Sequence, residues 1–210
     1  MTARALLITG VNGVGKSTLV ARLTTRPGVT AFSASRALMG HFGIAAGDYA
    51  ALDAIPLDRR LAASHLLIER AIAQTPGTLL LDAHLLTFEC DPPRDCGGPW
   101  LARLFRIVLV TAPAAVIDAR LAADEGAGRV RRWADPHEPA GRQVRLLATR
   151  QELLARHAAR TARRNSVGLL HLDHSGPSEP AVNILNTLIE SAPGPARPAT
   201  AALDPSQHSD

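Results

Sequence analysis

Lysine is nearly absent from this chain. The basic residues number 23, and all are arginine except Lys16. On a solvated surface either side chain supplies the charge, so the bias carries no penalty there. The two differ where a compact ammonium on a flexible stem must sit among phosphate oxygens. A planar guanidinium is too large and too directional for that place. With no second lysine, the N-K-x-D motif that guanine-specific switch proteins carry after a later strand is excluded.

Aromatic residues are also scarce, at 3%. That leaves few stacking platforms for single-stranded nucleic acid. The formal charge of +4 is modest, and a phosphorylated small molecule suits it better than nucleic acid as the main partner. Cysteine occurs twice, as Cys90 and Cys96 in "CDPPRDC". Zinc would need more ligands at tighter spacing, so two unpaired thiols in a reducing compartment are expected. No apolar run approaches the roughly 20 residues of a membrane span, and the N-terminus has no charged-then-apolar leader. These absences lead us to expect a cytoplasmic protein with no membrane partner.

The remaining composition is ordinary. At 210 residues, 46% hydrophobic and 20% charged, the chain is sized for one globular domain with a good core. Against that background, residues 8–18 read "ITGVNGVGKST". Gly10, Gly15, Lys16 and Ser17 match G-x-x-x-x-G-K-[ST], the phosphate-binding loop. In it backbone N–H groups cradle phosphates, lysine reaches the β and γ phosphates, and the hydroxyl ligates magnesium. Gly10, Asn12, Gly13, Val14, Gly15, Lys16, Ser17 and Thr18 are the expected nucleotide-binding residues. An apolar run of strand length, "RALLIT", precedes the loop, and "KSTLVARLTTR" follows with helical spacing. That puts a helix N-terminus under the phosphates. The glycine spacing is G-x-x-G-x-G, which excludes the dinucleotide fingerprint G-x-G-x-x-G.

The pattern farther along alternates strand and helix. Strands are expected at 4–9, 29–33, 78–82, 105–110 and 168–173. Helices are expected at 16–26, 57–74, 112–123, 145–164 and 179–191. Short, continuous apolar strands such as "TLLLD" and "RIVLV" suit a sheet covered on both faces. We therefore expect a doubly wound parallel α/β sheet of five strands, with ligands at the carboxyl ends of the strands. The domain is expected over 1–190. Within it, 124–142 is polar, rich in Gly and Pro, and holds an arginine cluster, which is the composition of a lid. Residues 191–210 lack bulky apolar groups and are expected to form a disordered tail.

Two features narrow the chemistry. The strand "TLLLD" ends in Asp82, placed to hold magnesium together with Ser17. Ala83 follows, where motor-type ATPases have a glutamate that activates water. Transfer to an acceptor other than water is therefore favoured. Phosphoryl transfer also needs positive charge around the moving group, with water kept out. Arg129, Arg131 and Arg132 on the lid segment are candidates, with Arg129 and Arg132 the first choices for a catalytic role.

These elements together resemble the archaeal-type adenylate kinases and their P-loop nucleoside monophosphate kinase relatives. The resemblance is carried by "TGVNGVGKST", "LLLDAHLL", the Pro99-Trp100 helix start, "IDARLAADEGAGRVRRWAD" and the long helix that follows. It spans about residues 4–190. It implies a five-stranded parallel sheet, a helical monophosphate-binding region and a lid. The family's D-T-H element falls on Asp82-Ala83-His84. Its R-x-R-D lid pattern is met only by Arg129-Val130-Arg131, with Arg132 next. Its glycine-proline-lysine segment is replaced by "LTFECDPPRDCGG". Arg36, Arg59 and Arg60 fall in the monophosphate-binding region, and with His84 they are the candidate acceptor contacts.

The expectation is an ATP- and Mg2+-dependent small-molecule kinase, with a nucleoside monophosphate as first-choice acceptor. A kinase of another metabolite is the alternative among enzymes. An NTP-binding regulatory or assembly protein with slow ATPase activity is the alternative outside transfer chemistry.

Overall fold

A computed structural model describes residues 3–126 and 142–191. At its centre lies a five-stranded sheet in the order β2-β3-β1-β6-β7. The strands are β1 (Arg4–Thr9), β2 (Val29–Ser33), β3 (Thr78–Asp82), β6 (Leu104–Thr111) and β7 (Gly168–Asp173). Every neighbouring pair is parallel. Leu6, Leu7 and Ile8 point alternately to opposite faces, yet all three are fully buried. Both faces of the sheet's centre are therefore covered, which is why β1, β3 and most of β6 read as apolar runs.

The covering helices are α1 (Lys16–Leu23), α4 (Leu57–Gln74), α5 (Ala114–Gly126), α6 (Arg142–Arg164) and α7 (Ser178–Ser191). α1 packs on α7, and α5 on α6. α1 stops at Leu23, short of the expected end, with Thr24 as its C-cap. α5 starts two residues late because Pro113 precedes it, and the Pro113 carbonyl accepts from Val116 and Ile117.

The segment between β2 and α4 adds two short helices, α2 (Ala34–His41) and α3 (Tyr49–Asp53). They bury Leu38, Met39 and Leu52 against Ala63 of α4, a second small core apart from the main one. After β3, a stretch to which the sequence pattern assigns no element contains a hairpin, β4 (Leu86–Thr87) and β5 (Arg94–Asp95). A 3-10 turn at Pro99–Arg103 then seats Trp100, which is fully buried. Among the described residues no helix is long and apolar enough to cross a membrane.

Candidate functional site

The carboxyl ends of β1, β3 and β7 meet around the glycine loop. β1 delivers the chain into Gly10, and the loop closes at Gly15, the N-cap of α1. Gly15 adopts φ 99°, ψ 16°, a left-handed conformation that favours glycine. It also has no room for a side chain: a Cβ there would stand 2.4 Å from His174 Cε1. A Cβ on Gly13 would stand 2.7 Å from Leu121 Cδ2. Val14 anchors the loop through its fully buried side chain. The first turn of α1 carries no acidic residue, so its N-terminal partial charge is left for an anion.

Lys16 is 7% exposed. Its Nζ donates to the carbonyls of Gly10, at 2.9 Å, and Val11, at 3.1 Å. The ammonium thus lies across its own loop. Ser17 Oγ donates to Asp82 Oδ2 across 2.9 Å. That contact joins the start of α1 to the end of β3, where Asp82 pairs in register with Ile8 on one side and Ser33 on the other. Asn12 is half-buried and Thr18 exposed.

Beside the loop is a cavity of about 440 Å³. Gly13 and Gly15 to Thr18 form one wall, and Arg120 and Asp124 of α5 another. The β7–α7 connection closes it through His174, Gly176, Pro177 and Ser178. Arg120 spans two of these walls: Nη1 donates to the Val14 carbonyl (3.1 Å) and Nη2 to the His174 carbonyl (2.9 Å). His174 is 4% exposed. Its Nδ1 lies 2.8 Å from the Val14 carbonyl and its Nε2 3.1 Å from Ser178 Oγ. A carbonyl only accepts, so Nδ1 carries the proton, and in the neutral ring Nε2 accepts from the Ser178 hydroxyl.

The candidate acceptor residues are distributed differently. Arg36 is exposed on the first turn of α2, just past the end of β2. Arg59 is exposed, with its guanidinium 5.8 Å from the centre of the Phe42 ring. His84 is exposed, two residues beyond Asp82. Arg60 is buried and already engaged. Its two terminal nitrogens donate to the two carboxylate oxygens of Glu89, and Nε donates to the Ile55 carbonyl at 3.0 Å. Asp53 lies 3.7 Å away. The hydrogen bond from Arg60 holds the Glu89 carboxyl below its usual range and outweighs its partial burial.

The hairpin that carries Glu89 is pinned on its far side. Asp95 Oδ1 accepts from Gly97 N at 2.7 Å and from His157 Nε2 at 3.2 Å, and Arg164 stands 3.7 Å from Oδ2. The His157 hydrogen bond draws the Asp95 carboxyl below its ordinary value. Burial pushes the neighbouring Cys96 thiol up to about 12, so it stays protonated. Cys90 and Cys96 are both free and half-buried.

The structure thus brings together Gly10 to Thr18 and Asp82, with Arg120 beside them. Arg129, Arg131 and Arg132 lie outside the described residues, as do residues 127–141 of the segment expected to be a lid. Sequence reasoning missed His174 and Ser178. The available signal was "HLDHSGPS", a histidine just past a strand end on the side of the sheet where ligands bind.

The chain matches no family model and no curated protein. Solved structures do share its fold. Shikimate kinase from Bacteroides thetaiotaomicron matches with a TM-score of 0.56 at 14% identity, over 89% of this chain and 98% of that one. TT1252 from Thermus thermophilus matches with a TM-score of 0.51 at 21% identity, over 92% of this chain and 100% of that one. At these identities the likeness is one of fold. The chain shares with them a five-stranded parallel α/β fold, and the resemblance to archaeal-type adenylate kinases rests on its sequence motifs.

Proposed function

We propose that this chain is a magnesium-dependent kinase that transfers the γ-phosphoryl group of ATP to a small molecule. The observation that carries this is the pairing of Ser17 with Asp82 beside a loop whose one ammonium, Lys16, is buried against it. In this reading the loop amides and Lys16 bind the triphosphate, and the cavity between Arg120 and His174 takes the rest of the nucleotide. Magnesium fits the Ser17–Asp82 pair, since a hydroxyl and a carboxylate are the hard oxygen donors it takes. Held by Ser17 and Asp82, it would supply positive charge that offsets the charge of the phosphates. Ala83 follows Asp82, so no acid adjoins it to activate water, which favours transfer over hydrolysis. The lid arginines Arg129 and Arg132 are assigned the charge that develops during transfer.

For the acceptor, a nucleoside monophosphate is the reading that the sequence motifs support. One observation favours a second reading. Arg60 is committed to Glu89 and Asp53, so a phosphate arriving there would have to displace a bidentate carboxylate. A hydroxylated metabolite without phosphate at that position avoids the competition. Release of ADP from MgATP, screened against monophosphates and polyhydroxy metabolites, tests both readings. Acceptor-dependent release is expected. Release at one unchanged rate with every acceptor and with none would mean slow ATPase activity instead.

A further inference from the structure

The Val14 carbonyl receives two side-chain donors, His174 Nδ1 at 2.8 Å and Arg120 Nη1 at 3.1 Å. Neither donor belongs to the glycine loop. His174 is itself fixed on three sides. Its backbone N–H donates to the Thr111 carbonyl at the end of β6 (2.8 Å), its own carbonyl accepts from Arg120, and Nε2 meets Ser178 Oγ. Its ring stands where a Gly15 side chain would be. The Val14–Gly15 peptide is planar and trans, so with its carbonyl held toward His174 and Arg120 the Gly15 N–H points away from them.

We propose that His174 is a positioning residue for phosphate binding: it latches the Val14 carbonyl and thereby aims the Gly15 N–H into the phosphate cradle. This rests on reading Gly10 to Ser17 as a phosphate loop. A glycine-rich loop left to itself samples many backbone orientations, and each amide that must turn on binding weakens the complex. The latch removes that freedom before the anion arrives. It also makes the β7–α7 connection and the phosphate cradle one rigid unit, so a change near Ser178 is felt at the phosphates without touching them.

Binding of magnesium tripolyphosphate and of MgATP, measured by calorimetry on the full chain, tests this. His174→Asn places an amide donor where Nδ1 stands, whereas His174→Gln places it near Nε2, and His174→Leu has no donor. Relative to the unmodified chain, Leu and Gln are expected to raise Kd roughly tenfold for both ligands, the scale of one lost hydrogen bond. Asn is expected to stay within about threefold. Melting temperatures report any loss of fold, and the Asn–Gln contrast stands even if Leu fails to fold. Equal affinity for Asn and Gln, or a Leu variant that is folded and within twofold of the unmodified chain, would overturn the latch. If the unmodified chain binds neither ligand, the phosphate-loop reading fails, and the latch with it.

Discussion

Ser17 and Asp82 lie 65 residues apart in sequence, yet the hydroxyl of one donates to the carboxylate of the other across 2.9 Å. The parallel pairing of β1 with β3 brings them together, since Asp82 stands opposite Ile8 and the loop that follows β1 leads straight to Ser17. If this pair holds magnesium, Asp82→Ala should raise the magnesium concentration for half-maximal activity about tenfold and lower kcat roughly 10²-fold, on the scale of one lost charge-stabilising contact. Binding of ATP without magnesium should change less than about twofold. A magnesium titration paired with calorimetry in EDTA checks both.

Gly15→Ala should be damaging for two reasons that add. The backbone is left-handed at φ 99°, which costs a residue with Cβ about 1–2 kcal/mol. The new methyl would also meet the buried His174 ring at 2.4 Å, and overpacking of this kind costs about 1–3 kcal/mol. A fall in melting temperature together with a large loss of ATP affinity is expected. Thermal melts and calorimetry read the two effects, and an unchanged melt would mean that the loop shifts away freely.

Acid should loosen the contacts that Glu89 and Asp95 make with Arg60 and His157. Glu89 and Asp95 are both held below their ordinary values, 4.5 and 3.8, chiefly by hydrogen bonds from Arg60 and His157. The unfolded chain therefore takes up protons at higher pH than the folded chain does. The stability these groups add is fully present above the ordinary values and is lost as the pH falls below them through the folded ones. Glu89→Gln should lower the melting temperature at pH 7 by about 3 °C, corresponding to about 1 kcal/mol for a half-exposed pair. It should also flatten the dependence of melting temperature on pH below 4.5. Melts between pH 3 and 7 compare the two slopes.

The inner strands β1, β3 and β6 were legible because each states its burial locally. Thr78–Asp82 is an apolar run ending in an acid, and the structure gives it those same bounds. The amphipathic Leu57–Gln74 likewise kept its ends. α2 and α3 were not legible, because they are short, lie among Gly40, Gly43 and Gly47, and depend on the packing of Met39 and Leu52 for their place. Strands β4 and β5 have two residues each, too few to show a period. At the site, the loop announced itself through Lys16 and its glycines. His174 did not, because its role comes from a backbone carbonyl 160 residues away.

The lid assignment makes its own prediction. If Arg132 neutralises charge that develops only during transfer, Arg132→Ala should lower kcat by roughly 10²- to 10³-fold and leave ATP affinity almost unchanged. Steady-state kinetics beside calorimetry separate the two quantities. A kcat within about twofold for each of Arg129→Ala, Arg131→Ala and Arg132→Ala would remove the lid arginines from the mechanism.

The solitary lysine carries the central claim, and Lys16→Arg tests it most directly. The substitution keeps the charge and restores the basic residue this chain uses everywhere else. The Lys16 ammonium sits buried between two loop carbonyls, a place sized for an ammonium and not for a guanidinium. Acceptor-dependent formation of ADP should fall more than tenfold, at least about 1.4 kcal/mol of transition-state stabilisation, while the variant remains folded. Retention of more than about a tenth of the activity would contradict the account, because arginine would then serve among the phosphates as well as lysine does.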